Sequence, residues 1–184
     1  MIDELMNRFE EFYKEVYIPI SGNYNPMKHM RPMIKYIKNN NVDGKQLVGV
    51  EIGVNYGWNM NNILRVLPIK KLYLIDPIQT KKYCKRVKPF LDKVMYIQDY
   101  SFNCIENIPN DLDFVYIDGN HSYDVVEQDI ELYYPKVKVG GVIGGHDYIK
   151  TDDEHNVLDA VNMFVSENKL DLNVVSPDWW IVKK

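Results

Sequence analysis

DLDFVYIDGNHSYDVVEQDIELYYPKVKVGGVIGGHDY, residues 111–148, contains two apolar runs of strand length, each ending in polar chemistry. Phe114-Val115-Tyr116-Ile117 ends in Asp118-Gly119-Asn120-His121, and Gly140-Gly141-Val142-Ile143 leads to His146-Asp147-Tyr148. Between them Val125, Val126, Ile130, Tyr133 and Tyr134 fall at helical spacing. A strand, a crossover helix and a second parallel strand place both strand C-termini on one edge of a sheet. Open α/β sheets bind ligands at that edge. Asp118, His121, His146 and Asp147 are therefore expected to converge.

The same alternation extends upstream. Leu47–Ile52 is an apolar strand run, followed by a glycine-containing turn and a helix over about residues 57–67. Leu72–Ile75 forms a second strand closed by Asp76-Pro77. A basic helix around Lys81-Lys82-Tyr83-Cys84-Lys85-Arg86 follows, then a third strand at Val94–Ile97 and a short helix after Ser101. Downstream, Val157, Leu158, Val161, Phe164 and Val165 mark a last helix, ahead of strands near Leu172–Val175 and Trp179–Val182. No helix separates those two strands, so Ser176-Pro177-Asp178 should turn an antiparallel hairpin. The pattern predicts an α/β fold: a doubly wound, mostly parallel sheet with an antiparallel C-terminal hairpin. Alternation allows one indole of Trp179-Trp180 to be buried and the other to face solvent or substrate, and the pattern assigns neither.

The N-terminal stretch is read as an amphipathic helix over residues 3–17, a loop from Pro19 to Pro26, and a second helix over about 27–40. At 184 residues, one domain is expected, with residues 1–44 as a cap. A formal net charge of -4 argues against a nucleic-acid surface. Cys84 and Cys104 form no metal-spaced or CxxC pattern, and the acidic N-terminus lacks a secretory signal. With no stretch apolar enough for a bilayer, a soluble cytoplasmic protein is expected.

The first turn reads Glu51-Ile52-Gly53-Val54-Asn55-Tyr56-Gly57, a GxxxG and not a GxGxxG spacing. The dinucleotide fingerprint is missing, which points to a cofactor without phosphates. Asp76, ending the second strand, suits ribose hydroxyls. Gly53 also suits a tight turn and Asp76 a turn before Pro77.

ExGxxxG, the acid after strand two and DGxHxY…GGxxxxHDY together resemble the class I S-adenosylmethionine-dependent methyltransferases. More narrowly, the chain is similar to methyltransferase family 24, the macrolide and aminocoumarin sugar O-methyltransferase group, with catechol O-methyltransferase more distant. The resemblance covers about residues 45–184 and implies a Rossmann-like seven-stranded sheet. It assigns Glu51, Gly53, Asn55 and Gly57 to the methionine part of S-adenosyl-L-methionine and Asp76 to its ribose. Asp118 also joins the cofactor-binding set. Asp99 and Ser101 fall on the adenine side, with a helix N-cap as the other role open to Ser101.

The resemblance further implies a divalent cation (Mg, Mn or Fe) held by Asp118, His146 and Asp147. A cation favours the ionised form of an acceptor hydroxyl and directs it toward the methyl group. Asp118 and His121 are the catalytic candidates, with His121 as base. The alternative is that His121 or Ser122 caps the helix beginning near Tyr123. Adjacent residues of an extended strand face opposite ways, so His146 and Asp147 reach one metal only if the chain turns there. Otherwise His146 supports a ligand or acts as a second base. An imidazole ligand shifts preference from Mg²⁺ toward Mn²⁺ or Fe²⁺.

The expected activity is a metal-dependent O-methyltransferase acting on a sugar or other small hydroxylated molecule. A cephalosporin hydroxylase-like enzyme is one alternative, disfavoured because an oxygenase needs no adenosine pocket. A non-catalytic cofactor-binding module is another, disfavoured by the retention of Asp118, His121 and Asp147. The chain lacks a long insertion between strands five and six. An open site follows, or one completed by a second copy of the chain.

Overall fold

The computed structural model describes residues 30–150 and 156–184. The expected helix over 3–17, the Pro19–Pro26 loop and the start of the second helix lie outside the described residues. The chain forms α1 (Pro32–Asn40), β1 (Leu47–Ile52), α2 (Trp58–Val66), β2 (Ile69–Ile75), α3 (Lys81–Val87) and β3 (Val94–Ile97). It continues as β4 (Leu112–Ile117), α4 (Tyr123–Tyr133), β5 (Val137–Gly145), α5 (Val157–Asn168), β6 (Leu172–Val175) and β7 (Asp178–Val182). Short 3-10 turns at Ser101–Asn103 and Ile105–Asn107 replace the single short helix expected after Ser101.

The seven strands form one sheet in the order β3-β2-β1-β4-β5-β7-β6. The first five are parallel, and β7 runs antiparallel to both β5 and β6. The chain order reverses between β1 and β4, the switch point where such sheets open a crevice. Strand alternation then divides the core. Phe114 and Tyr116 pack on one face with Met33, Ile34, Met60 and Ile63, whereas Val115 and Ile117 pack on the other with Val126, Ile130, Val161 and Phe164. Each fully buried apolar side chain contributes about 1.5–3 kcal/mol relative to exposure.

Both tryptophans of β7 are buried, although strand alternation alone would allow one to be exposed. Trp180 belongs to the α1 side, with its ring 5.2 Å from Tyr36, and Trp179 packs on the α5 side. Helices cover both faces of β7, so neither face is wet. α1 itself starts at Pro32, a residue with no N–H to satisfy in the first turn. Its Met33 N–H donates to Asp178 Oδ2 at 3.1 Å, a cap supplied from β7 in place of the preceding residue. Tyr116 OH donates to the other oxygen, Oδ1, at 3.1 Å.

Candidate active site

The C-terminal ends of β1, β2, β4 and β5 form the edge where the site is built. Backbone bonds carry the ladder past the strand ends: Asp118 N–H donates to Ile52 O (2.8 Å) and Gly53 N–H to Ile75 O (2.9 Å). Gly53 has φ +83, and a Cβ there would lie 2.0 Å from Asp118 O. Only glycine permits β1 and β4 to approach this closely and turn this way.

The turn that follows is held by Asp76. Its Oδ2 accepts from Val54 N–H (2.8 Å) and Asn55 N–H (2.7 Å), and its Oδ1 from Ile78 N–H (2.8 Å). Thr80 Oγ1 donates to Asn55 O at 2.8 Å and accepts from Tyr83 N–H at 3.2 Å, tying α3 to the same turn. Asp76 thus shapes the turn while lining the cavity beside it.

That cavity measures about 620 Å³ and lies over β1, β2 and β4. This is within the range of small-molecule sites. Glu51, Gly53, Asn55, Asp76, Asp99, Ser101, Asp118 and His121 all line it. Gly57 does not line it but turns the chain into α2 with φ +71. Among the described residues lining it, five are acids and Arg31 is the one arginine or lysine. Arg31 Nη2 lies 3.7 Å from Asp118 Oδ2. Glu51 is 1% exposed, and its Oε2 has no hydrogen-bond partner. Burial, reinforced by the Asp118 charge, pushes its carboxyl well above the ordinary range.

At one end of this cavity Asp118, His121 and Asp147 bring three donor atoms within 4.8 Å of one another. His121 Nε2 lies 3.1 Å from Asp147 Oδ2 and 3.8 Å from Asp118 Oδ1. A hydrogen bond to Asp118, with the charges of Asp147 and Asp118, raises the His121 pKa against the opposing effect of partial burial. The shorter contact is to Asp147, so the two carboxylates act on the ring together. Ser122, not His121, occupies the N-cap position of α4, and its side chain makes no capping bond.

β5 ends at Gly145, and Asp147 adopts φ +58. This left-handed residue breaks the alternation that would send neighbours to opposite faces. His146 Nδ1 consequently lies 2.9 Å from Asp147 Oδ1 and 3.9 Å from Asp118 Oδ1. The chain turns there, but His146 is not among the three residues whose donor atoms lie within 4.8 Å of one another.

At the cavity's other end Ser101 Oγ donates to Asp129 Oδ1. Ser101 is not an N-cap: Tyr100 holds that position for the short turn. Asp99 is engaged locally, accepting from Tyr100 N–H (2.7 Å) and Asn103 Nδ2 (2.8 Å), bonds that lower its pKa. Asp129 lines the cavity although only 1% exposed, and burial raises its carboxyl to about 6. Sequence reasoning missed Asp129, and it reached Arg31 only as part of the Ser21–Pro32 segment that the family resemblance places over the cofactor. Asp129 broke the apolar face of its helix, a signal that was legible. Arg31 carried none beyond its position ahead of β1.

Comparison with known proteins follows the same edge. A family model described as a methyltransferase domain, of methyltransferase family 24, matches residues 50–148. Uncharacterized protein R132 of Acanthamoeba polyphaga mimivirus is 31% identical over 140 residues, covering 70% of this chain and 63% of that protein. MycE methyltransferase from the mycinamycin biosynthetic pathway, solved with Mg and SAH, superposes with a TM-score of 0.65 at 16% identity. That match covers 95% of this chain and 54% of MycE. The O-methyltransferase TomG from Streptomyces achromogenes, solved with SAM, gives 0.63 at 13% identity over 97% of this chain and 89% of TomG. The O-methyltransferase NovP gives 0.62 at 18% identity over 83% and 79%. The chain thus spans less than two thirds of the mimivirus protein and about half of MycE, and the structural likenesses at these identities show the fold. Because the matched residues run from β1 through the glycine turn, Asp76 and the Asp118–Asp147 cluster, the chain belongs to methyltransferase family 24.

Proposed function

We propose that this chain is an S-adenosylmethionine-dependent O-methyltransferase that uses a divalent cation and acts on a hydroxyl of a small molecule or sugar. One observation carries the reading. A buried, unpartnered carboxylate oxygen at Glu51 shares a cavity with Asp118 and His121, which Asp147 joins in one cluster. Glu51 Oε2 needs a donor, and the ammonium of a methionyl group supplies a charged one. Arg31 is placed to take the adjoining carboxylate. The acid-rich lining suits a cofactor with two cationic centres and one anionic. Asp76 retains an acceptor position for a ribose hydroxyl beyond its three backbone bonds.

The cluster also fits a cation. Carboxylate oxygens and imidazole nitrogens lie 2.9–3.9 Å apart. These are the spacings expected of donors sharing one ion at about 2.0–2.2 Å. Asp118 and Asp147 would hold it, with His146 as the imidazole that favours Mn²⁺ or Fe²⁺ over Mg²⁺. When bound, the cofactor supplies an electrophilic methyl group, and the ion favours the ionised acceptor hydroxyl. His121, oriented by the two carboxylates through Nε2, receives the hydroxyl proton on its other ring nitrogen, Nδ1. Asp118 and Asp147 stabilise the resulting imidazolium. Gly53 lets the cofactor's methionyl end approach the β1–β4 crevice. SAH and SAM in the MycE and TomG structures, and Mg in MycE, support these assignments.

Residues 1–184 are assigned to one methyltransferase domain with 1–44 as its cap, a role supported by Arg31 reaching the cavity from that stretch. Among the described residues no helix is long and apolar enough to cross a membrane. We retain a small molecule as the partner, without nucleic acid or membrane, in the cytoplasm. The acceptor site is open or is completed by a second copy of the chain.

The test is calorimetry with S-adenosylhomocysteine beside methyl transfer to a panel of hydroxylated acceptors, with and without a chelator. Asp118→Asn and Asp147→Asn should abolish transfer and metal binding while leaving cofactor-product affinity within a few fold. His121→Ala should lower turnover by roughly 10²–10⁴-fold with that affinity unchanged. Full activity in chelator, or tight metal binding by the double Asn variant, would refute the cation role.

A further inference from the structure

The end of the cavity remote from the cation cluster holds a buried acid that the transfer chemistry leaves unused. Asp129 projects from α4, is 1% exposed, and lines the cavity. Ser101 satisfies its Oδ1, and its Oδ2 has no partner. A buried carboxylate oxygen left bare is costly, and a ligand N–H reaching it would recover that cost. Asp99, the acid that the family resemblance assigns to the adenine side, accepts Tyr100 N–H and Asn103 Nδ2 at Oδ1, and it is only half-buried, so its second oxygen carries no such desolvation cost.

Placement follows from the chemistry already described. The reacting methyl group must lie beside Asp118 and His121, and the methionyl group in the Glu51–Asn55 turn. The nucleoside must then run past Asp76 toward Ser101, Phe102, Val125 and Asp129, all on the cavity wall. A purine meets an apolar flank there, with Asp129 as the buried acidic acceptor.

We propose that Asp129 reads the exocyclic amino group of the cofactor's purine, its free Oδ2 accepting one N–H while Ser101 holds Oδ1 in place. The inference rests on the methyltransferase reading and deepens it by naming the residue that sets base specificity. A purine carrying a carbonyl at the same position would present an oxygen to the carboxylate. It would be rejected because two acceptors then face each other in a buried site.

The experiment compares S-adenosylhomocysteine with its deaminated analogue, S-inosylhomocysteine, by calorimetry on the full chain. Wild type should prefer the adenosine form by at least about tenfold. Asp129→Asn, which can present an amide N–H to the carbonyl, should reduce that preference below about threefold or invert it. Asp129→Ala, with neither donor nor acceptor, should bind the two forms about equally. Near-ultraviolet circular dichroism establishes that each variant is folded. Equal binding of both forms by wild type would overturn the inference while leaving the methyltransferase reading intact. So would folded variants that keep the wild-type preference or lose both affinities in parallel. Wild type that binds neither form would overturn both.

Discussion

Replacing Gly53 by alanine should damage the protein far more than the same change at Gly119, one residue past Asp118. The backbone at Gly53 has φ +83, which costs an L-residue about 1–2 kcal/mol. The added Cβ would also lie 2.0 Å from Asp118 O and 2.4 Å from its carbonyl carbon. Non-bonded carbon and oxygen settle at roughly 3.3 Å, so the ends of β1 and β4 must part by more than about 1 Å. That opening loosens the bonds from Asp118 N–H to Ile52 O and from Gly53 N–H to Ile75 O. Each contributes about 1 kcal/mol. Together, Gly53→Ala should cost about 3–4 kcal/mol, a fall in Tm of about 10 °C for a chain of this size. At Gly119 the new Cβ would meet Ile52 Cγ2 at 3.5 Å, an ordinary contact. Gly119→Ala should stay within about 0.5 kcal/mol of wild type. Urea denaturation gives both values, and calorimetry with S-adenosylhomocysteine reports whether the crevice survives. If Gly53→Ala melted within about 1 °C of wild type, the crevice would not depend on this close approach.

Three further outcomes follow from buried acids. Asp178→Ala strips the partner from Met33 N–H and Tyr116 OH and should cost about 3 kcal/mol in urea, with α1 opening first in hydrogen exchange. Uniform exchange would argue against the cap. Asp129 titrates at about 6 in the fold against an ordinary 3.8. Folding therefore favours its protonated form, and its contribution of about 3 kcal/mol is present below pH 3.8 and lost as pH rises through 6. Subtracting the Asp129→Asn stability curve from wild type between pH 4 and 7 isolates that contribution, and a flat difference would refute it. Glu51→Gln should act in opposite senses. Removing a carboxyl that burial holds well above its usual pKa raises Tm at pH 7, while S-adenosylhomocysteine affinity falls by at least about tenfold. Unchanged affinity would remove Glu51 from the cofactor site.

The architecture was readable because the signals are local and periodic. Apolar runs alternating with helix-spaced segments dictate parallel strands and crossovers, which place each strand's last residue on one edge. That logic anticipated the gathering of Asp118, His121 and Asp147, and it located the glycine turn and Asp76 at the ends of β1 and β2. Element starts were less legible. β2 begins at Ile69 and β5 at Val137, because Lys70, Lys71 and Lys138 interrupt the apolar pattern without interrupting the ladder.

By itself the sequence determined the order of elements, the hairpin at the end and the identity of the side chains that terminate each strand, all consequences of spacing along the chain. The tertiary structure decided which partner each polar group meets. Asp178 caps a helix 145 residues away, and Ser101 satisfies an acid 28 residues on. A single left-handed residue at Asp147 brings its carboxylate within 2.9 Å of the preceding His146. Hydrogen bonds and ion pairs act over a few ångströms in space, and no periodicity records which distant residues the sheet brings within that reach.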